Sequence, residues 1–223
     1  MSRVILVTGA GGAAGQAVVR RFTDLGDTVI AVDRSGAHGC LALDLLDRPA
    51  VQGLANRIAD EHGRVDGVVH LVGGWRGAPS FAETDLADWD FLHDALIRTL
   101  QHVSLAFEPL LRRSDNGRFV IVSARAAQRP SQRDAAYAAA KAAAEAWALA
   151  LADALQDTRS SAAVILVVTA LVHDAMRAAE PGRSFEHHTD VNDLAVAITD
   201  LWDREPGEVN GRRIDLTPAG SAR

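Results

Sequence analysis

Short apolar runs, almost unbroken by polar residues, recur at Val4–Val7, Thr28–Val32, Val68–Val72, Phe119–Val122 and Val164–Val168. A strand buried on both faces reads this way, whereas a half-exposed strand alternates. Between the runs, amphipathic stretches predict helices near Ala13–Leu25, Pro49–Glu61, Leu86–Arg112, Asp134–Gln156 and Val191–Trp202. A last strand, Arg213–Leu216, follows the turn signal Asn210-Gly211, and a weaker one falls at Cys40–Leu43. Strands alternating with helices imply βαβ units, a parallel sheet and right-handed crossovers. The segment Leu171–Thr189 is long, polar and without clear periodicity, which predicts a loop of the kind that forms lids. The Ala-rich helix from Ala135 to Ala154 reflects either helix propensity or close approach of another helix, as at a subunit interface.

Composition narrows the function classes. The 223 residues fit one domain, 1–223, with a core of useful size. A formal charge of -6 and a pI near 5.7 argue against nucleic acid or an anionic membrane as partner, because both need a basic face. Cys40 is the single cysteine, so an internal disulfide and a thiolate metal cluster are both excluded, and it reads as a small hydrophobe. No secretory h-region and no membrane-length apolar run is present, which predicts a cytoplasmic protein. His173, His187 and His188 lack the companions of a metal site and read as solvated or substrate-edge residues, so no metal is expected.

The candidate chemistry begins at Thr8-Gly9-Ala10-Gly11-Gly12-Ala13-Ala14-Gly15, between the first strand and the first helix. In a G-x-x-G-x-x-G turn, Gly9 allows the sharp bend, Gly12 lets a pyrophosphate approach the backbone, and Gly15 packs helix on strand. The helix start at Ala13 and Ala14 offers free N–H groups and a positive dipole end to the phosphates. Asp33 ends the second strand, where a carboxylate accepts hydrogen bonds from the adenosine ribose and repels a 2′-phosphate. NAD, with NADH preferred over NADPH, is therefore the expected cofactor, although Arg34 next to it is a residue able to accommodate that phosphate. Asp44, with Leu45 beside it, either meets the adenine edge or caps its loop. Val72-Gly73-Gly74 continue the cofactor wall after the fourth strand.

Tyr137 and Lys141 lie four apart on a predicted helix and so share one face. A tyrosine of ordinary pKa near 10 needs a neighbouring cation to act as a base near neutrality, and Lys141 is placed to supply one.

Taken in order, the glycine turn, Asp33, Gly73, Ser123, Tyr137, Lys141 and the final strand resemble the short-chain dehydrogenase/reductase family over essentially the whole chain. The resemblance implies a three-layer Rossmann-type fold, a doubly wound parallel sheet of about seven strands in an order near 3-2-1-4-5-6-7. It also implies hydride transfer between NAD(H) and a carbonyl, alcohol or conjugated imine of a small molecule. Tyr137 is then the general acid/base, Lys141 its electrostatic and ribose-binding partner, Thr169 a cofactor contact, and the enzyme a homodimer or homotetramer through its long helices. Several positions depart from the pattern. Asn-Asn-Ala-Gly reads His70-Leu71-Val72-Gly73, the helix asparagine is Leu96, the serine thirteen before the tyrosine is Ala124, and Pro-Gly is Thr169-Ala170. Ser123, one place early, either touches substrate, if a bulge turns it inward, or bonds nearby backbone. Val72-Gly73-Gly74-Trp75, Ala124 and Val168-Thr169 are locally similar to the dihydropteridine reductases, in which case Trp75 stacks on a flat substrate ring; otherwise it caps the core. A cofactor-binding regulator without turnover and a nucleotide-sugar epimerase are the remaining alternatives.

Overall fold

Seven parallel strands run side by side in a computed structural model that describes residues 2–218. In chain order they are β1 Val4–Thr8, β2 Thr28–Asp33, β3 Leu41–Ala42, β4 Gly67–His70, β5 Gly117–Ala124, β6 Ser161–Val168 and, at the far edge, β9 Arg213–Asp215. The sheet order β3-β2-β1-β4-β5-β6-β9 is the doubly wound order expected, with its reversal between β1 and β4. Parallel pairing brings the carboxyl ends of β1, β4, β5 and β6 to one edge of the sheet.

Alternation of side chains splits the apolar runs between two cores. Leu6, Val68, Phe119 and Ile165 point to one face, where they meet α2 (Arg48–His62), α4 (Thr99–Leu111) and α5 (Ala135–Leu155). Ile5, Val7, Val69, Val120 and Val164 point to the other, against α1 (Ala13–Asp24) and α7 (Val191–Thr199). Full burial of a side chain such as Phe107 or Phe119 contributes about 1.5–3 kcal/mol, so each face is amply driven to its helices. Helix ends are set locally. Asp47 accepts from Ala50 N at 3.0 Å to start α2, and Gly63, at φ +76°, closes it; Asp190 accepts from Asn192 N to start α7.

Three expectations need correction. The single helix predicted over Leu86–Arg112 is α3 (Leu86–His93), a π-helical turn at Asp94–Arg98, and then α4. The fourth strand stops at His70, leaving Leu71 and Val72 to the cleft. Leu171–Thr189 is not a structureless loop. Its ends form two short strands, β7 (Leu171–Val172) and β8 (Thr189–Asp190), which pair in parallel around α6 (Asp174–Ala179). No helix of the described residues is long and apolar enough to cross a membrane, and none of their His, Cys, Asp and Glu side chains form a metal-binding group.

Candidate active site

The glycine turn and the strand ends enclose a cleft in two lobes. One, of about 450 Å³, lies over Gly9, Gly12, Asp33, Asp44 and Leu45; the other, of about 590 Å³, lies over Ala14, Trp75, Tyr137, Lys141 and Thr169. Leu71, Val72 and Gly73 border both lobes, so the two adjoin.

Two of the glycines sit where a side chain would clash. Gly9 has φ +71°, and a Cβ there would meet Leu71 C at 2.8 Å; a Cβ on Gly15 would meet Gly9 O at 2.3 Å. Gly12 is exposed, and no side chain caps the α1 N-terminus. The backbone N–H groups that open this helix therefore face the cleft unpaired, a fit for a diphosphate. Gly11 went unread in the sequence. Its N–H donates to Asp33 Oδ2 at 3.3 Å, and a Cβ would press on the carboxylate at 2.8 Å. The hydroxyl of Ser35 (2.7 Å) and its N–H (2.9 Å), with Gly11 and Arg34 adding to them, hold the Asp33 carboxyl below its ordinary range against the effect of burial. Arg34 is exposed on the same lobe. Asp44 accepts from Leu46 N at 2.9 Å and so makes its loop turn while still lining the lobe.

Thr8 needs correction as a cofactor contact. It is fully buried, and its hydroxyl bonds His70 Nδ1 at 2.8 Å beneath the turn. His70 Nε2 lies 3.3 Å from Thr99 Oγ1, whose own proton goes to Ala95 O at 2.7 Å. Thr99 can then only accept from Nε2–H, which leaves Nδ1 to accept from Thr8. Burial, helped by the nearby Lys141 ammonium, pushes the His70 pKa down to about 3, so the ring is neutral.

On α5, Tyr137 and Lys141 both line the larger lobe. Lys141 Nζ donates to Val122 O at 2.8 Å and sits 5.8 Å from the Tyr137 ring centre. Burial pulls the lysine down to about 8, partly opposed by the Glu145 carboxylate. Burial and Asp134 push the tyrosine up to about 12, opposite to the lowering expected from Lys141. Tyr137 is a neutral phenol here, able to donate a proton. Asp134 is held by Trp75 Nε1 at 3.3 Å and Ser131 Oγ at 2.7 Å, which ties the loop after β4 to the start of α5. Trp75 stays 59% exposed on the cleft wall.

The family model for short chain dehydrogenases matches residues 3–182. The chain belongs to that family. It is 35% identical over 103 residues to D-threitol dehydrogenase of Mycolicibacterium smegmatis, a stretch covering 40% of this chain and 39% of that one. The chain thus spans about half the length, or less, of curated relatives such as this. Among solved structures, a short chain dehydrogenase from Shigella flexneri complexed with NADP superposes with TM-score 0.82 at 25% identity, over 96% of each chain. The 3-ketoacyl-(acyl-carrier-protein) reductase of Brucella melitensis complexed with NADH gives TM-score 0.82 at 22% identity over 98% of each, a likeness of fold.

Within this short chain dehydrogenase the helper positions differ from the family pattern in a consistent way. β5 pairs in unbroken register through Ser123 and Ala124, so no bulge turns Ser123 inward. Its hydroxyl donates to Glu145 Oε1 at 2.6 Å and the residue is 1% exposed, so this serine on the wall of the larger lobe spends its proton on a carboxylate rather than on nearby backbone. Glu145 also accepts from Arg213 Nε at 3.2 Å. Leu96 is buried in an apolar cluster with Leu92, Ile97 and Ala140, and Tyr137 packs against it. Glu145 was legible as the residue one turn beyond Lys141; nothing in the linear sequence marked His70 as its neighbour.

Proposed function

We propose that this protein is an NAD(H)-dependent oxidoreductase that reduces a small carbonyl compound, or oxidises the matching alcohol, with Tyr137 as general acid/base. One observation carries the reading. A half-buried phenol and an anchored ammonium line a cavity that adjoins a second one over Gly12 and an uncapped helix N-terminus. Bound NADH would supply the hydride. Ala13 and Ala14 would hold the diphosphate through backbone N–H groups, with Gly12 leaving room for its approach, and Val72, Gly73, Gly74 and Thr169 would wall the nicotinamide half. Lys141, kept charged below pH 8 and fixed by Val122 O, would hold the nicotinamide ribose. Tyr137 donates its proton to the carbonyl oxygen as the carbon is reduced, and takes one back from the alcohol in the other direction. Its raised pKa keeps the phenol protonated, the form that reduction needs.

Asp33 supports NADH over NADPH. Its carboxylate is fixed against Gly11 and kept ionised, where it would accept from ribose hydroxyls and repel an added phosphate. A homo-oligomeric enzyme fits the exposed Leu105 and Leu149 on the two long helices. Tyr137→Phe tests the reading. The variant should bind NADH as the parent does, by nicotinamide fluorescence, and lose at least about a hundredfold in turnover. Retained turnover removes Tyr137 from the chemistry.

A further inference from the structure

The lobe beside Tyr137 is poor in neutral groups that would orient an uncharged substrate. Ser123 is committed to Glu145, position 124 is alanine, and Asp134 is held by Trp75 and Ser131. Besides Tyr137 and Lys141, the polar side chains left on its wall are Thr169, Arg125 and Arg129. Arg125 acts through its charge on Asp215: burial opposes the shift, but bonds from Thr217, with Arg125 and Arg213 behind them, hold that carboxyl low. Arg129 is different. It is exposed on the cleft wall, and no hydrogen bond or ion pair of its guanidinium is seen among the described residues. Its backbone N–H donates to Arg125 O at 3.0 Å, so the turn after β5 fixes where the side chain starts.

The charge balance of the wall is opposite to that of the chain. Arg125, Arg129 and Lys141 stand there against Asp134 alone, although acidic residues exceed basic ones, 29 to 23, in the whole sequence. A guanidinium matches a carboxylate through two parallel hydrogen bonds. We propose that the substrate is a short carbonyl compound bearing an anionic group, a carboxylate in the simplest case, and that Arg129 docks that group while Tyr137 protonates the carbonyl oxygen. This rests on the reaction proposed above. Arg129 is a specificity-determining residue in this scheme, doing by charge part of the orienting that a hydroxyl at position 124 would otherwise do.

The test uses the full chain, NADH and two aldehydes of similar size, 4-oxobutanoate and pentanal. The parent protein should prefer 4-oxobutanoate by at least about tenfold in kcat/KM, and the preference should shrink as salt is added. Arg129→Met should cut the charged-to-neutral ratio by about tenfold or more, mainly through KM, and Arg129→Lys should restore part of it. An equal preference in the parent, or an unchanged ratio in Arg129→Met, overturns the proposal. If neither aldehyde is reduced, binding decides. 4-Oxobutanoate should perturb the fluorescence of the protein–NADH complex at lower concentration than pentanal, and Arg129→Met should abolish the difference; no difference in the parent overturns the proposal. Tyr137→Phe separates the two layers. Retained reduction there removes the proposed proton donor, while an Arg129 effect alone concerns the substrate.

Discussion

Glu145 offers the sharpest perturbation, because its charge acts on Lys141 although it does not line the cleft. It is 8% exposed, one helical turn beyond Lys141, and accepts from Ser123 and Arg213. Its carboxylate opposes the burial that draws Lys141 down to about 8. Glu145→Gln keeps the oxygen that Ser123 needs and removes the charge. If the carboxylate supplies about one pKa unit, roughly 1.4 kcal/mol, Lys141 falls from mostly charged to about half charged at pH 7. A charge-assisted hydrogen bond to the nicotinamide ribose contributes about 1.5–3 kcal/mol, so complete deprotonation weakens NADH binding by roughly tenfold to a hundredfold, whereas the half-charged variant at pH 7 binds only about twofold more weakly than the parent. The assay is the NADH dissociation constant against pH, by fluorescence, which needs no substrate. The parent should bind well below pH 8 and lose affinity above it. In Glu145→Gln the same loss should begin at lower pH. A purely structural effect would weaken binding equally at every pH. An unmoved pH limb in a folded variant would refute the coupling between Glu145 and Lys141.

Three further outcomes follow from the buried groups. His70 is neutral in the fold with a pKa of about 3, against about 6.5 unfolded, so the unfolded chain binds the extra proton between those values. Stability should therefore fall as pH drops below about 6.5, by up to roughly 1.4 kcal/mol per pH unit, and His70→Asn should flatten that slope in melts taken from pH 7 to pH 4. Lys141 has the same sign at higher pH. Its folded pKa of about 8 lies below about 10.4, so its contribution to stability rises with pH across that window, and Lys141→Met should remove the rise. Asp33→Ser should raise affinity for NADPH relative to NADH by about tenfold or more, because the repelling carboxylate is gone while Arg34 remains on the lobe; equal ratios in parent and variant would show that Asp33 does not select the cofactor.

Much of the architecture was legible because it rests on local patterns. Buried parallel strands are continuous apolar runs, and the runs at Val4, Phe119 and Val164 all became sheet strands. The glycine spacing could be read for the same reason: each glycine answers to a neighbour within its own turn or the adjoining strand end. The Asp94–Arg98 turn was not legible, since a single π-helical turn shifts the apolar pattern by only about one residue and carries no residue-type signal. Nor was the pairing of β7 with β8, two strands of two residues each that carry no periodic signal. At the site, helical spacing was enough to place Tyr137 and Lys141 together. The role of Ser123 was not readable, because it depends on strand register and on a carboxylate twenty-two residues away. Thr8 failed similarly: its partner, His70, sits on a neighbouring strand, sixty-two residues on.

A crystal structure of the NADH complex would show whether Tyr137 and Lys141 meet a bound nicotinamide. The diphosphate should lie over Gly12, the ribose within hydrogen-bonding distance of Lys141 Nζ, and the Tyr137 hydroxyl beside the reactive face of the ring. A nicotinamide lying elsewhere, with the Tyr137 hydroxyl turned from it, would overturn the proposed chemistry while leaving the nucleotide-binding fold in place.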